Sequence, residues 1–296
     1  MRAIAGIAIG LIIGLLVGLA IGYVAKPAAQ QAGPPSTYTT TVTYTATAAP
    51  QGPVSVDAIK KRGYLLVGTD ATWPPWEWIY NNTIVGWDID IAREIAKALG
   101  VRLEVRDMRF AGIFQAVRDG RVDMVISATT WTAEREQAVD FSMPYYLESA
   151  VAVTLASRND IRNVSDLYGK KVGVQVSTVE DDWATANLEK TGKAQVSRFD
   201  KVYPYMVEAL RRGDVDAILI DRSIATALVT KFPDLKIAFE IPGSTGYIAI
   251  ALPKCAQDLK LVVDQVIENL TQTGELQRIM QKNFELFLAA SASPTS

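Results

Sequence analysis

The 296-residue chain contains no histidine and only one cysteine, Cys255. Without histidine it has no imidazole base, no Ser-His-Asp triad and no histidine metal site. Without a second cysteine it has no internal disulfide and no CxxC zinc or redox motif. Its 30 lysines and arginines do not outnumber its 32 aspartates and glutamates, so it lacks the positive surface that phosphates attract. We therefore expect no nucleic-acid partner, no metal and no cofactor.

Charge is also missing from residues 3–25, which form one uninterrupted apolar run. As a helix at roughly 1.5 Å per residue this run spans about 35 Å, and a hydrocarbon core needs about 30 Å. The run is longer than the apolar core of a cleaved signal peptide, although Ala28 and Ala29 leave cleavage open. The pattern predicts a signal anchor that fixes the chain to the cell membrane, and Arg2 favours an outer-face (extracellular or periplasmic) location for the rest.

Residues 26–56 have little that could form a core, being rich in threonine, alanine and proline. This composition predicts a disordered linker of the kind found in O-glycosylated stalks, although the alternating Thr-Val-Thr-Tyr also fits a strand. Asn81, Asn163 and Asn269 each start an N-glycosylation acceptor sequence, so we expect a glycoprotein.

From Asp57 onward the chain alternates short apolar runs with amphipathic stretches, which predicts an α/β fold with parallel sheets. One segment occurs twice in similar form, at residues 118–126 and 211–219. Each copy follows a helical pattern, passes a glycine, and enters an apolar strand through Val-Asp. Two such copies predict two similar lobes.

The loops after the two repeated strands are candidate ligand contacts, because parallel sheets bind ligands beyond the carboxyl ends of their strands. The repeat places Asp221 where the other copy has Ala128, and a hydroxyl-rich loop leads from there to Arg135. Thr132 is a candidate N-cap, which puts Arg135 in a first turn where the helix dipole disfavours a cation. Arg135 is therefore either an anion clamp or a solvated surface residue. Asp221 is either a ligand contact or a helix N-cap.

Four of the six tryptophans lie within residues 73–87, which also contain adjacent prolines. Prolines bar a helix at this point, so at least one indole is expected on a loop. Packing in the core is the alternative for each of them.

These residues together resemble the solute-binding protein family that serves ABC importers of polar amino acids. The resemblance covers roughly residues 57–287 and depends on several ordered motifs. They are Gly68-Thr69-Asp70, Pro75-Trp76-Glu77, Gly86-Trp87-Asp88-Ile89-Asp90, Thr130 to Arg135, Asp140-Phe141-Ser142, Leu167 to Gln175 and, in altered form, Thr273-Gly274-Glu275.

The resemblance implies two Rossmann-like α/β lobes joined by two hinge strands, the type II periplasmic-binding-protein fold. Lobe 1 is expected at residues 57–148 plus 246–288, and lobe 2 at residues 149–245. The lobes are expected to close on a ligand like a hinge.

By position, the resemblance implies that Arg135 and Thr130 bind an α-carboxylate, with the amides of Thr178 and Val179 completing that site. Ser177 stands where the family has glycine, and residues 177–180 also fit a plain capping box. Asp221 and the carbonyl of Ala128 would hold the α-ammonium.

The same resemblance implies that Trp73 and Trp87 flank the ligand side chain, with Asp70 at its far end. A carboxylate in an aromatic slot favours arginine or lysine, then glutamine, then histidine. The alternative is that Asp70 caps its own turn.

The expected function is a membrane-anchored receptor that captures a free L-amino acid and delivers it to an ABC permease, without catalysis. The alternative is a dehydratase or similar lyase on the same scaffold, with a carboxylate such as Glu77 as the acid.

Overall fold

The structure is a computed structural model that describes residues 41–42 and 54–290. The predicted membrane anchor at residues 3–25, and all of the predicted linker before Val54 except two residues, lie outside the described residues. Across residues 54–290, no helix is both long enough and apolar enough to cross a membrane. The two described linker residues, Thr41–Val42, form a short strand (β1) parallel to Glu104 and Val105. At these two residues the structure therefore has a strand, which was the alternative to a disordered linker.

The first half of the described chain alternates short strands with helices. Its elements are α1 (Val56–Arg62), β2 (Tyr64–Thr69), β3 (Thr72–Trp73), β4 (Glu77–Tyr80), β5 (Thr83–Val85), α2 (Trp87–Leu99), β6 (Arg102–Asp107), α3 (Ile113–Arg118), β7 (Met124–Val125), α4 (Ala133–Ala138), β8 (Asp140–Phe141), β9 (Tyr146–Glu148) and β10 (Ala150–Leu155).

The second half continues the alternation and ends in two long helices. Its elements are a 3₁₀ turn (Val164–Leu167), β11 (Lys171–Gln175), α5 (Val179–Ala184), a π-helical turn (Thr185–Glu189), β12 (Gln195–Phe199), a second π-helical turn (Val202–Met206), α6 (Val207–Arg212), β13 (Ala217–Asp221), α7 (Arg222–Lys231), β14 (Leu235–Glu240), β15 (Gly246–Ile248), β16 (Ala251–Leu252), α8 (Gln257–Gln272) and α9 (Glu275–Ala289).

The strands form two main sheets, and each has a parallel centre. The first sheet has the order β1-β6-β2-β7-β16-β8, with β6, β2 and β7 parallel and β16 antiparallel to both neighbours. The second has the order β12-β11-β13-β10-β14, with β12, β11 and β13 parallel and β10 antiparallel. The strands of the first sheet come from both ends of the described chain, and those of the second come from its middle.

A short antiparallel pair, β9 with β15, lies where the chain passes between the two sheets. Leu147 is opposite Tyr247 in this pair, and a neighbouring bridge joins Thr130 to Ile248. Because β9 leads directly into β10 and β15 leads into β16, these two strands are the connections between the sheets.

The internal repeat corresponds to the same structural device in both sheets. Asp123 accepts a hydrogen bond from the backbone N–H of Leu66 at 2.7 Å, and Asp216 accepts one from Lys171 at 2.7 Å. The backbone N–H of each aspartate also donates in return, from Asp123 to the Leu66 carbonyl and from Asp216 to the Lys171 carbonyl, both at 2.8 Å. Each aspartate therefore fixes the strand that it starts to a neighbouring parallel strand, and the two loops that follow leave their sheets in equivalent places.

Helix α2 is positioned by a glycine that has no substitute. Gly86 has φ +140°, and a Cβ added there would lie 2.0 Å from the carbonyl oxygen of Trp76. Only glycine allows this approach. It lets Asp88 N–H donate to that carbonyl at 3.0 Å, and the helix then places the Asp88 side chain beneath the loop that follows β7.

Candidate functional site

The loop after β7 is held from below by buried carboxylates. Ala128 has a left-handed backbone (φ +45°), which costs a non-glycine residue of order 1–2 kcal/mol. Its N–H donates to Asp88 Oδ2 at 2.7 Å, and the Tyr145 hydroxyl donates to Asp88 Oδ1 at 2.8 Å. Ser127 Oγ donates to Glu77 Oε1 at 2.9 Å. These bonds hold the loop in a strained shape, and three of its residues, Ser127, Ala128 and Thr130, line the cavity described below.

Glu77 and Asp88 are fully buried next to each other and share a hydrogen bond. Burial raises the pKa of Asp88 to about 7, and burial together with the charge of Asp88 raises the pKa of Glu77 well above its ordinary value. The pair is therefore stabilised when it retains one proton. Glu77, the residue considered as a catalytic acid, supports the loop and does not line the cavity described below.

Arg135 connects the two halves of the cleft. Thr132 caps α4 as predicted, its side chain accepting from Arg135 N–H at 3.1 Å. The guanidinium donates through Nη1 to the Thr130 carbonyl at 2.8 Å and through Nη2 to the Ser177 carbonyl at 3.1 Å. It lies 4.9 Å from the ring centre of Phe114. Desolvation lowers its pKa, and nearby carboxylates raise it. The side chain is thus a fixed, partly desolvated cation facing acidic groups.

Asp221 lies at the end of β13, in the N-cap position of α7, but its side chain makes no capping hydrogen bond. Glu148 accepts from the Ser223 N–H of that first turn instead, at 3.3 Å. The Asp221 carboxyl is buried beside Glu180, to which it is hydrogen-bonded. Burial first, and then the charges of Glu180 and Glu148, raise the pKa of Asp221 well above its ordinary value. Helix capping therefore does not account for the placement of this carboxylate.

The start of α5 departs from the predicted capping box by one residue. The N-cap is Thr178, whose Oγ1 accepts from Asp181 N–H at 3.2 Å, while Asp181 Oδ2 accepts from Ser177 N–H at 3.0 Å. Ser177 itself has φ +67°, which is not the extended conformation usual for an N-cap serine, and the N-cap lies one residue later. The same conformation explains why glycine suits this position, because glycine adopts it without steric cost.

Seven of the nine predicted contacts line one narrow cavity between the two lobes, with a volume of about 10 Å³. The seven are Trp73, Ala128, Thr130, Arg135, Thr178, Val179 and Asp221. The cavity is narrow because contacts already cross the cleft. Trp73 Nε1 donates to Gln175 Oε1, and Trp76 Nε1 donates to Ser223 Oγ at 2.8 Å.

Asp70 and Trp87 are the two predicted contacts that do not line this cavity. The Asp70 carboxylate is fully buried and accepts from Thr72 Oγ1 at 2.9 Å and from Gln175 Nε2 at 2.7 Å. Burial raises its pKa to about 6. Trp87 is buried with its ring centre 4.6 Å from that of Trp76. In this arrangement Asp70 is saturated by protein donors, and Trp87 supports Trp76 from behind.

Three further residues line the cavity and were not among the predicted contacts: Phe110, Ser127 and Glu180. Gln175 crosses the cleft without lining the cavity. Phe110, Ser127 and Gln175 each follow or end a parallel strand, so the strand-end rule that selected Asp221 could have found them. Glu180 had a weaker signal, the unusual acidity of residues 180–182.

Comparison with known proteins gives consistent results. Residues 65–286 match the family of bacterial extracellular solute-binding proteins, family 3. The L-cystine-binding protein TcyJ of Escherichia coli (strain K12) is 32% identical over 231 residues, which are 77% of this chain and 85% of TcyJ. The arginine-binding extracellular protein ArtP of Bacillus subtilis (strain 168) is 28% identical over 245 residues, 82% of this chain and 94% of ArtP.

A solved structure has the same fold. AbpA of Streptococcus pneumoniae Canada MDR_19A, an amino acid ABC transporter substrate-binding protein crystallised with L-arginine, matches with a TM-score of 0.74 at 31% identity. The match covers 78% of this chain and 99% of AbpA. The two-lobe α/β fold expected from the sequence is therefore confirmed.

Proposed function

The chain belongs to family 3 of the bacterial extracellular solute-binding proteins, and we propose that its cleft captures a free L-amino acid outside the cell for an ABC importer. The observation that carries this proposal is that Arg135 and Asp221 line one cavity from different lobes. A cation and a carboxylate so arranged match the two charged groups of an α-amino acid.

The carboxylate of the ligand would bind at Arg135. The guanidinium at present donates to two carbonyl oxygens, those of Thr130 and Ser177. A carboxylate is a stronger acceptor than a carbonyl, and a guanidinium can hold it through two parallel bonds. The Thr130 side chain and the amides of Thr178 and Val179 border the same cavity and would complete this half of the site.

The ammonium of the ligand would bind at Asp221, together with the Ala128 carbonyl. Asp221 and Glu180 are two buried carboxyl groups in contact, and burial raises the pKa of each. Two such groups are most stable when they share a proton. The ammonium group of the ligand would supply the positive charge that the shared proton otherwise supplies. The ligand ammonium and this proton would therefore compete for the site between Asp221 and Glu180.

The side chain of the ligand would extend past Trp73. The residues that line the cavity favour Phe110 over Trp87 as the second aromatic wall. Asp70 would be reached only after the Gln175 amide that it now accepts has moved, and Gln175 belongs to the other lobe. Our expected order of preference remains arginine or lysine, then glutamine, then histidine, and the names of ArtP and the ligand of AbpA agree with the first choice.

Capture would involve hinge closure of lobe 1 (residues 57–148 plus 246–288) on lobe 2 (residues 149–245). The β9–β15 pair is short and connects the two sheets, so a rotation there would separate Arg135 from the Ser177 carbonyl. The narrow cavity admits an amino acid only if these contacts part first.

The protein would act as a receptor without catalysis. None of the family and relatives named above is a dehydratase or a lyase, so the alternative has no support. The predicted anchor at residues 3–25 would hold the protein at the membrane, close to a permease, with its cleft on the outer face.

Thermal unfolding of the full-length protein with each of the twenty common amino acids, followed by calorimetry on those that stabilise it, tests the proposal. A basic amino acid or glutamine should raise the unfolding temperature, and Arg135→Ala should abolish the shift. If no amino acid raises it, the proposed function is wrong.

A further inference from the structure

A second cavity adjoins the one between Arg135 and Asp221, and we call it the side chamber. Its volume is about 220 Å³, which exceeds the roughly 150 Å³ of an apolar cavity able to hold benzene. Its walls are mostly apolar and include two indole rings. The side chamber is lined chiefly by Trp131, Trp183, Leu219, Ile241 and Thr245.

Three residues line both cavities: Thr130, Val179 and Glu180. Glu180 is 3% exposed, and its Oε1 has no hydrogen-bond partner among the residues that the structure describes. A buried carboxylate oxygen without a donor is costly, of the kind that a ligand group relieves. Glu180 therefore lies at the boundary between the proposed amino-acid site and the side chamber.

The side chamber adjoins the end of the site that holds the charged groups of the ligand. The residues shared by the two cavities border the proposed carboxylate site, and Glu180 is hydrogen-bonded to Asp221, the proposed ammonium partner. Trp73 and Phe110, proposed here as walls for the side chain, line the first cavity and not the side chamber. A longer amino-acid side chain would therefore not enter the side chamber, whereas a substituent on the amino group would.

We infer that the cleft also accepts amino acids extended at the amino group, with dipeptides as the ligand class. The inference rests on the proposed function, because the carboxylate of the C-terminal residue would still bind Arg135. The peptide N–H would donate to Asp221, the free ammonium would bind Glu180, and the N-terminal side chain would lie between the apolar walls of the side chamber. Each charge of the dipeptide would then meet an opposite charge.

Calorimetry with three probes on the full-length protein tests this assignment: L-arginine, L-alanyl-L-arginine and N-acetyl-L-arginine. The dipeptide should bind, and the acetyl compound should bind at least tenfold more weakly than the dipeptide, because it extends toward the same chamber without a cation for Glu180. If the amino-acid screen identifies another residue, that residue replaces arginine in all three probes.

Two variants separate a binding role from a structural one. Thr245→Trp should fill the side chamber and raise the ratio of the dipeptide Kd to the arginine Kd at least tenfold. Thr226→Trp, at an exposed threonine of α7 that lines neither cavity, should leave that ratio unchanged. Glu180→Gln keeps the shape and removes the charge, so it should bring the dipeptide and the acetyl compound to within threefold of each other.

The outcomes distinguish this inference from the proposed function. If arginine binds and the dipeptide does not, the side chamber is no ligand site and the proposed function stands. If dipeptide binding is the same in Thr245→Trp as in Thr226→Trp, the dipeptide does not occupy the chamber. If no amino acid and no dipeptide binds, both proposals are wrong.

Discussion

Removing the guanidinium of Arg135 is the sharpest test of the proposed site. Its side chain makes two hydrogen bonds to carbonyl oxygens, at 2.8 Å to Thr130 and at 3.1 Å to Ser177, and the second of these joins the lobes. Arg135→Ala removes the cation, the contact across the cleft and the packing on Phe110 and Phe114. A ligand carboxylate would then be enclosed without a positive partner.

The expected loss follows from the burial of that carboxylate. Leaving one member of a buried charge pair without its partner costs about 3–5 kcal/mol. Since every 1.4 kcal/mol is a factor of ten, the Kd should rise about 150-fold to about 4,000-fold. A wild-type Kd on the order of 1 μM, equivalent to about −8 kcal/mol, would become roughly 0.2 mM to several millimolar. Arg135→Lys should have a Kd between those of the wild type and of Arg135→Ala, because it keeps the positive charge but loses the planar pair of donors.

The assay is calorimetric titration of L-arginine into the full-length protein, with circular dichroism to show that each variant is folded. Arg118→Ala is the matched control, because the Arg118 side chain is 55% exposed and its ion pair among the described residues is with its neighbour Asp119, at 3.6 Å. Its Kd should stay within twofold of wild type. A folded Arg135→Ala protein with a Kd within threefold of wild type would remove Arg135 from the binding site.

The remaining predictions concern protonation, closure, specificity and stability. Because burial raises the pKa of Asp221 and of Glu180, folding retains protons on them. The ligand-free protein should therefore lose stability, and the Kd should fall, as the pH rises above the ordinary pKa range of a carboxyl group. Calorimetry in buffers of different ionisation enthalpy should show proton release on binding, and a Kd that does not change with pH would contradict the shared proton. The described arrangement is closed, because Arg135 and Trp73 already bond across the cleft, so the lobes must part before a ligand can enter. Small-angle scattering should therefore show a larger radius of gyration without ligand than with a confirmed ligand bound; an unchanged radius with tight binding would contradict this opening. In competition titrations arginine, lysine or glutamine should bind more tightly than glutamate or leucine. If glutamate or leucine binds at least tenfold more tightly than arginine, lysine and glutamine, Asp70 does not select the side chain. Asp123→Ala should lower the free energy of unfolding by about 1–3 kcal/mol, because it leaves the Leu66 N–H without its acceptor. Asp216→Ala should lower it less, because the Asp216 side chain is 29% exposed and that of Asp123 only 1%. Equal losses of unfolding free energy in chemical denaturation would contradict this difference.

The sequence by itself determined the architecture, because the signals for it are local. The alternation of apolar runs and helical patterns needs only neighbouring residues, and it correctly predicted parallel α/β sheets. The repeat ending at Ile126 and Leu219 marked two equivalent strands, and the structure shows why: Asp123 and Asp216 each fix a neighbouring strand through the same bonds. The strand-end rule then pointed to Asp221, which does line the cavity.

Only the tertiary structure decided which face each side chain presents. Trp76 and Trp87 belong to the same tryptophan-rich segment and cannot be told apart by composition. Trp76 nevertheless donates to Ser223 of the other lobe, whereas Trp87 packs against the Trp76 ring. Asp70 was expected to face a ligand, and its acceptor positions are filled by Thr72 and by Gln175, which is 105 residues away in the chain. Such contacts depend on how two lobes meet, and no local period of 2 or 3.6 residues records that.

Glu180 shows this limit most clearly. Its sequence context, a run of three acidic residues at the start of a helix, is unusually acidic, but it is also explained by the preference of the helix dipole for negative charge. Asp181 follows that pattern and accepts from Ser177 N–H. Glu180, one residue earlier, instead lines both cavities. Its Oε1 has no hydrogen-bond donor among the residues that the structure describes. Adjacent helical residues differ by about 100° in direction, so packing alone separated Asp181, which bonds to the backbone before the helix, from Glu180, which lines both cavities.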